Sequence, residues 1–151
     1  MDISLDKFFD GKIKIYQPKK GYKAGLDAIL LAASVKTSKG KNIYDIGSGV
    51  GVISYCLGFR CNNVLITGVE KHIEYYSLAV KSQKINKLKS KVFFLNQDFI
   101  KMKKINCDII VSNPPWFKKN STYKSPNPLL NKAKIESLNL DFWINKVFSN
   151  L

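Results

Sequence analysis

The chain has 151 residues, three cysteines and a formal net charge of +14. This length suits a single domain with one core, and no apolar run approaches the ~18 to 20 residues of a membrane span. The start of the chain lacks a signal-peptide pattern, so a cytoplasmic protein is expected. Cys56, Cys61 and Cys107 form no C-x-x-C pair, which predicts neither a disulfide framework nor a metal site.

The positive charge comes almost entirely from lysine, because Arg60 is the single arginine among 25 basic residues. Such a field attracts a polyphosphate partner, and nucleic acid is the obvious one. Lysine gives little capacity for bidentate recognition of phosphate or guanine, however. A lysine bias of the whole coding sequence would produce the same excess, so the charge alone leaves RNA binding open.

Before the predicted sheet, the residues from Leu26 to Val35 form a predicted helix that is capped near Asp27. The segment from Gln17 to Tyr22 contains Pro and Gly and is typical of a turn. We therefore expect residues 1–40 to form an N-terminal flank or lid.

Four short apolar runs predict strands that are buried on both faces of a parallel sheet. They are Asn42 to Ile46, Val64 to Val69, Val92 to Leu95, and Asp108 to Val111. Helical patterns from Val52 to Phe59 and from Ile73 to Asn86 separate them, and strand–helix alternation predicts a doubly wound α/β fold. We expect one domain, with its core over residues 41–117 and a basic loop and a helix, Asp141 to Phe148, within residues 118–151.

Polar and glycine residues follow the first predicted strand, where an open α/β sheet binds its ligands. The segment Asp45-Ile46-Gly47-Ser48-Gly49-Val50-Gly51 has the spacing G-x-G-x-G. A dinucleotide fingerprint would need glycine at Val52, so that class of cofactor is not indicated. The glycines allow a tight turn and close approach of a ligand to the backbone, although a plain structural turn would use them equally.

Carboxylates end or follow the next two strands. Glu70 ends the second strand and can accept two hydrogen bonds from a ribose diol, or it can cap the following helix. Asp98 follows the third strand and can accept a hydrogen bond from an adenine amino group, or it can be an exposed loop residue. Neither residue decides the ligand alone.

The fourth strand ends in Asn113-Pro114-Pro115-Trp116, the most specific motif in the chain. Two prolines remove two N–H donors, so the carbonyls here are not consumed in ordinary sheet pairing. The Asn113 oxygen and the Pro114 carbonyl could hold the two hydrogens of an exocyclic amine. Trp116 offers a face on which a planar base can stack. A rigid turn beside a partly buried tryptophan is the structural alternative.

Together these motifs resemble the class I methyltransferases that modify exocyclic or amide nitrogens with S-adenosyl-L-methionine. The N-terminal segments resemble, within that class, the bacterial adenine-N6 methyltransferases that act on valine tRNA. Those segments are Phe9-x-Gly11, Gln17-x-x-x-Gly21-Tyr22-Lys23 and Asp27-Ala28-x-Leu30-Leu31-Ala32. The resemblance departs at Trp116, where the family usually has Tyr or Phe.

This resemblance implies a cofactor site and a catalytic site. The methionine moiety would lie along Gly47, Gly49 and Gly51 after Asp45, the ribose at Glu70 and the adenine at Asp98. Gln17, Tyr22 and Asp27 would lie nearby. The residues from Asn113 to Trp116 would bind the target amine and clamp the base, and the single histidine, His72, is expected at the surface.

Two rival functions remain open in the sequence. A protein-glutamine methyltransferase presents the same amine geometry to an Asn-Pro-Pro-aromatic site, and a non-catalytic RNA-binding remnant would keep only the lysine-rich surface. The resemblance further implies three strands beyond the four that can be placed. A truncated or split chain is therefore expected, which would self-associate or pair with a second polypeptide through the open edge of its fourth strand.

A lysine-rich loop follows the proposed base clamp and is predicted either to grip RNA phosphates or to form a solvated connection. Its lysines are Lys118, Lys119, Lys124, Lys132 and Lys134.

Overall fold

The computed structural model describes residues 2–20, 23, 25–114, 117–118, 135–136 and 140–150. Its strands are β1 (Ile3–Phe8), β2 (Ile13–Pro18), β3 (Asn42–Ile46), β4 (Leu65–Glu70), β5 (Lys91–Asn96), β6 (Ile109–Ser112), β7 (Phe117–Lys118) and β8 (Ile135–Glu136). Its helices are α1 (Leu26–Ser34), α2 (Val52–Arg60), α3 (Ile73–Gln83) and α4 (Leu140–Phe148), with a short 3-10 helix over Phe99–Lys101. None of the helices within these residues is long and apolar enough to cross a membrane.

A parallel sheet of four strands in the order β5-β4-β3-β6 forms the centre of the fold. This order matches the first four strands of a doubly wound sheet, so the predicted α/β class is confirmed. Each predicted strand lies within one residue of its observed bounds at either end. The central strands carry β-branched side chains such as Ile43 and Ile66, which are fully buried because both faces of the sheet are covered.

The two faces of the sheet are covered by different elements. One core cluster joins the sheet to β2 and to the first three helices, and it includes Ile15, Ala28, Tyr55 and Leu78. The other cluster joins the sheet to the 3-10 helix and α4 through Phe99 and Trp143. Helix α2 is buried at every position from Val52 to Gly58, which explains why its apolar residues do not follow one face.

The N-terminal segment differs from the prediction. Gln17 and Pro18, the first two residues of the expected turn, instead end strand β2, which pairs antiparallel with β1, whereas Lys19 and Lys20 follow the strand. The turn of this hairpin is at Phe9 and Asp10, whose φ angles are 51° and 54°, followed by Gly11 at 79°. The buried face of β2 carries the polar Gln17, and the alternation of apolar residues that marks a strand is short as a result.

Two helix boundaries also differ from the prediction. Helix α1 has Gly25 at its N-cap without a side-chain cap, and Asp27 lies in its first turn instead. Helix α3 ends at Gln83 rather than at Asn86. The Asn86 side chain donates to the carbonyl of Ser82 at 2.7 Å, and an asparagine bonded in this way competes with the helical backbone.

Candidate active site

The glycine loop lies between β3 and α2 at the carboxyl edge of the sheet. Gly47 and Gly49 have φ angles of 75° and 57°, a region that favours glycine. A Cβ built on Gly49 would meet nothing within 4 Å, and one on Gly47 would meet only Trp143, at 3.9 Å. These two glycines therefore form an open stretch of backbone that a ligand can approach.

Gly51 occupies a different environment, although the sequence groups it with the other two glycines. Its φ is 87°, and a Cβ there would lie 2.6 Å from the Phe94 ring and 3.1 Å from Tyr55. The residue is buried, and because glycine has no side chain, aromatic rings of the core fit beside it. Packing at the start of α2 thus explains this glycine, and its contact with a cofactor stays a prediction.

Asp45 ends its strand beneath the loop and is fully buried. Its Oδ2 accepts hydrogen bonds from the Ser54 hydroxyl at 2.7 Å and the Ser54 N–H at 3.1 Å, while Oδ1 has no partner. Burial raises the pKa of Asp45 to about 6, although the bonds from Ser54 oppose the shift. The carboxyl group therefore fastens the end of β3 to α2, and direct contact with a ligand stays a prediction.

Glu70 ends β4 beside the glycine loop and is only 6% exposed. Its two oxygens accept from separate backbone N–H groups, Oε2 from Gly49 at 2.9 Å and Oε1 from His72 at 2.7 Å. Burial raises the pKa of Glu70, while the two N–H donors act to lower it. The carboxylate is thus held between the loop and the start of α3, where its remaining lone pairs are available to a diol.

Two other predicted positions, Asp98 and His72, lie near the carboxyl end of β4. The N–H of Gln97 donates to the Glu70 carbonyl at 3.1 Å, which brings the end of β5 against that of β4. Asp98 follows directly, and its Oδ1 accepts from the Ile100 N–H at 3.1 Å as the cap of the 3-10 helix. His72 is half-buried rather than at the surface, and its Nε2 is buried without a hydrogen-bond partner.

The predicted amine-binding residue comes into contact with the N-terminal flank. Asn113 follows β6, and its Nδ2 donates to Oδ2 of Asp27 in α1 at 2.6 Å. A carboxylate only accepts hydrogen bonds here, so the amide nitrogen of Asn113 must face Asp27 and its oxygen must point elsewhere. The resemblance predicts Asp27 near the cofactor but does not predict its pairing with Asn113.

Trp143 of α4 is a site residue that sequence analysis missed. Its Nε1 donates to the Ser112 hydroxyl at 3.2 Å, and that hydroxyl donates to the carbonyl of Ile46 at 2.8 Å. The indole also contacts Phe99 edge to face, with ring centroids 5.6 Å apart. A cavity of about 280 Å³ lies between β6 and α4, lined by Ser112, Pro114 and Trp143 among others. The amphipathic pattern of α4 was the available signal.

Gln17 lies away from open solvent, at 1% exposure, in strand β2. Its Nε2 donates to Oδ2 of Asp6 at 2.8 Å, and the same carboxylate oxygen pairs with Lys23 at 3.0 Å. This contact ties the hairpin to the chain that enters α1. Several predicted site residues lie outside the described residues: Tyr22, Pro115, Trp116, Lys119, Lys124 and Lys132. Lys134 also lies outside them, and Lys118 is described by its backbone alone.

The residues at this edge fit an adenosyl cofactor. The open Gly47 and Gly49 backbone leaves room for a chain, and Glu70 presents a carboxylate of the kind that binds ribose hydroxyls. The Ser48 hydroxyl is buried beneath the loop without a hydrogen-bond partner, so an acceptor or donor is still needed there. Within the described residues no group of three His, Cys, Asp or Glu side chains could hold a metal ion.

Comparison with known proteins agrees with this geometry. The methyltransferase small domain family matches residues 23–139. A tRNA1(Val) (adenine(37)-N6)-methyltransferase from Phocaeicola vulgatus is 30% identical over 80% of this chain and 50% of its own length. A release factor glutamine methyltransferase from Fusobacterium nucleatum is 35% identical over 52% of this chain and 23% of its own. The chain thus spans about half the length, or less, of the curated relatives it matches.

Solved structures share the fold at low sequence identity. A Pyrococcus abyssi tRNA uracil-54 methyltransferase, in complex with S-adenosyl-L-homocysteine, superposes with a TM-score of 0.58 at 17% identity. That match covers 88% of this chain and 31% of the other. A T. thermophilus 16S rRNA methyltransferase, in complex with AdoMet and guanosine, gives 0.57 at 22% identity and covers 76% and 33%.

The sheet order, the glycine loop after β3 and the acidic end of β4 define a class I methyltransferase fold, whose cofactor is S-adenosyl-L-methionine. The chain belongs to the methyltransferase small domain family, which matches more than half of its residues.

Proposed function

We propose that this chain transfers a methyl group to the exocyclic N6 of an adenine in tRNA. The observation that carries the proposal is the bond from Asn113 Nδ2 to Asp27 Oδ2, because it fixes which end of the amide can accept from a substrate. An exocyclic amine carries two hydrogens and needs acceptors to orient it. The Asn113 oxygen and the Pro114 carbonyl, at the end of β6, supply them.

S-adenosyl-L-methionine supplies an electrophilic methyl group on a sulfonium, so no catalytic histidine or cysteine is required. The residues of this chain hold it and orient the amine: Gly47 and Gly49 beside its methionine part, Glu70 at the ribose and Asp98 at the adenine. Positioning and exclusion of water then supply most of the rate enhancement. Trp116 closes the site by stacking on the target base, and Gln17 and Tyr22 support the site from the flank.

The RNA substrate is supported by the relatives and by the charge of the chain. The tRNA1(Val) relatives from Phocaeicola vulgatus and from a Flavobacteriaceae bacterium are 30% and 29% identical over 80% and 75% of this chain. The net charge of +14 favours a polyanionic substrate. The basic loop grips phosphates on either side of the target nucleotide through Lys118, Lys119, Lys124, Lys132 and Lys134.

The test is methyl transfer from labelled S-adenosyl-L-methionine into total tRNA and, separately, into release factor protein. We expect label in tRNA, recovered as N6-methyladenosine after nucleoside analysis, and none in Asn113→Ala. Label on a glutamine side chain would establish the rival reaction, which the Fusobacterium nucleatum relative supports. A chain that binds tRNA but transfers no methyl group, and does not bind S-adenosyl-L-homocysteine, would be the non-catalytic remnant.

The five lysines of the loop give a second test of the RNA substrate. Their replacement by glutamine should weaken tRNA binding and flatten its dependence on salt, while S-adenosyl-L-homocysteine binds as before. An unchanged salt slope would mean that the loop is only a connection.

A further inference from the structure

The N-terminal hairpin is fastened to the C-terminal end of α3. The N–H of Lys14 donates to Oδ1 of Asn86 at 2.8 Å, and Nδ2 of Asn86 donates back to the Lys14 carbonyl at 2.6 Å. Two residues further along β2, the Tyr16 N–H donates to the hydroxyl of Ser82, which is fully buried. These bonds join β2 and the segment after α3 into one continuous surface.

This surface carries lysines that no carboxylate neutralises. Residues 75–97 contain five lysines and no acidic residue. The exposed lysines of the surface are Lys12, Lys14, Lys81, Lys84, Lys87 and Lys89. The three ion pairs of the described chain use Lys19, Lys23 and Lys41 instead. We call the six exposed lysines, from Lys12 to Lys89 in the list above, the basic face.

Aromatic side chains lie among these lysines. The Lys81 ammonium is 4.1 Å from the centroid of the Tyr16 ring, and that of Lys89 is 5.8 Å from the Phe59 ring. Phe9 stacks on the Phe59 ring, with 6.0 Å between the ring centroids and an angle of 19° between the rings. Phe9 remains 45% exposed at the hairpin turn, where two successive left-handed residues hold it.

The basic face lies far from the proposed catalytic residues. The segment after α3 leads into the start of β5, so it lies at the amino-terminal edge of the sheet, whereas Glu70 and Asn113 lie at the carboxyl edge. Six strand residues at roughly 3.3 Å each separate the two edges by about 20 Å. A nucleotide bound at the catalytic edge cannot reach this face, but a folded RNA is large enough to contact both.

We propose that the basic face is a second RNA-binding surface, which holds the backbone of the folded tRNA away from the target base. Unpaired lysines bind phosphates, and an exposed phenylalanine among them offers a stacking platform for an unpaired base. This proposal rests on the tRNA substrate proposed above. The surface increases the affinity for tRNA and positions the tRNA relative to the active site, and it takes no part in methyl transfer.

The test compares two triple variants of the full chain with equal loss of charge. One is Lys84→Gln, Lys87→Gln, Lys89→Gln on the basic face. The matched control is Lys101→Gln, Lys103→Gln, Lys104→Gln, three exposed lysines beside the 3-10 helix on the opposite side of the sheet. Fluorescence anisotropy with labelled tRNA at several salt concentrations gives the affinity and the salt slope.

For the basic-face variant we expect a Kd about tenfold higher. The slope of log Kd against log salt concentration should be smaller by about 2, because each lost phosphate contact lowers it by roughly 0.7 to 0.9. The control should stay within about twofold of the wild type. In methyl transfer, KM for tRNA should rise while kcat and S-adenosyl-L-homocysteine binding stay unchanged. Phe9→Ala should weaken binding without changing the salt slope, and Phe9→Trp should restore it.

Equal losses in the two triple variants would overturn the basic face as a distinct surface while leaving the proposed function intact. A wild-type chain that methylates protein and does not bind tRNA would instead overturn the proposed function. Vesicles that contain phosphatidylserine form a further arm. Binding to them that depends on Lys84, Lys87 and Lys89, with tRNA binding unaffected, would assign the surface to a membrane and contradict the proposal.

Discussion

The amide of Asn113 donates to the carboxylate of Asp27 across 86 residues of sequence, with 2.6 Å between Nδ2 and Oδ2. The two residues come from elements that the sequence does not link, the first turn of α1 and the end of β6. If Asn113 binds the target amine as proposed, we expect Asp27 to have a positioning role, since it would act on a substrate only through the orientation of Asn113.

Replacement of Asp27 should therefore lower the rate of methyl transfer more than it lowers cofactor binding. For Asp27→Ala we expect kcat to fall about 10- to 100-fold, as for other mispositioned catalytic groups, with S-adenosyl-L-homocysteine affinity within about twofold. Asp27→Asn keeps the shape but allows either orientation of the Asn113 amide, and should lose part of the rate. Stopped assays with labelled cofactor and calorimetry measure the two quantities.

Asn113 side-chain amide resonances separate a positioning role from a merely structural one. In the wild type, the hydrogen bond to Asp27 should change the chemical shift of the Asn113 Nδ2 protons and slow their exchange with solvent. In Asp27→Ala both effects should disappear. An unchanged Asn113 signal together with reduced activity would contradict the positioning role. Equal loss of cofactor affinity in Asp27→Ala would instead support the original placement of Asp27 beside the cofactor.

Glu70 joins the glycine loop to the start of α3, so its replacement should disturb cofactor binding directly. In Glu70→Gln an NH₂ group would face a backbone N–H of Gly49 or His72, and one donor would lose its acceptor. We expect S-adenosyl-L-homocysteine affinity to fall at least tenfold by calorimetry, with a loss of about 1 to 3 kcal/mol in unfolding free energy. Glu74→Gln, in the first turn of α3, is the control and should bind normally.

The glycines of the loop should separate into two classes on substitution. Gly51→Ala places a Cβ 2.6 Å from the Phe94 ring at a φ of 87°, so we expect a large loss of unfolding free energy, more than about 2 kcal/mol. Gly49→Ala meets open space and should cost about 1 kcal/mol from its φ alone, while cofactor affinity falls because the Cβ occupies the ligand side. Urea unfolding measures the stability of the two variants and calorimetry measures their cofactor affinity. Equal destabilisation in Gly49→Ala and Gly51→Ala would contradict the division into two classes.

Asp45 should make the protein less stable as pH rises from about 4 to 6. Its folded-state pKa of about 6 exceeds the ordinary aspartate value of 3.8, so in this window the native state binds more protons than the unfolded chain. Stability is then highest at the acidic end of the window and falls as the pH passes through the folded pKa. The shift of Glu70 has the same sign, whereas the lowered pKa values of Asp6 and Asp108 act at more acidic pH.

The measurement is urea unfolding at several pH values between 4 and 7.5. Asp45→Asn should flatten the fall in unfolding free energy by on the order of 2 to 3 kcal/mol, at about 1.4 kcal/mol per pKa unit. Asp10→Asn, exposed at the hairpin turn, should keep the wild-type slope. A slope that is equally steep in Asp45→Asn would show that another group dominates.

The outer edge of β6 should support association. Among the described residues β6 pairs only with β3, and exposed apolar side chains of the neighbouring α4 include Phe142 and Phe148, at 49% and 69% exposure. Both features favour pairing with a second copy or with another polypeptide. Sedimentation of the purified chain should show a concentration-dependent dimer that Phe148→Asp weakens. A stable monomer with full activity would contradict this prediction.

Much of the central fold could be predicted from local sequence. Strands such as Asn42–Ile46 are short segments with apolar residues on both faces, a pattern typical of a covered parallel sheet, and the loop after this strand has glycines at positive φ. The convergence of Glu70 and Asn113 at one edge followed from parallel strand direction alone. The hairpin β1–β2 was missed because the polar Gln17 lies on its buried face.

Only the tertiary structure decided the contacts between residues that are far apart in sequence. Gly51 and Gly49 are alike in the chain, but the Phe94 ring from β5 fills the space beside one and leaves the other open. Trp143 reaches the glycine loop only because α4 folds back over β6, and Asp27 meets Asn113 because α1 lies at the same edge. Periodicity and motif spacing describe what one element presents, whereas these roles depend on what a second element places against it.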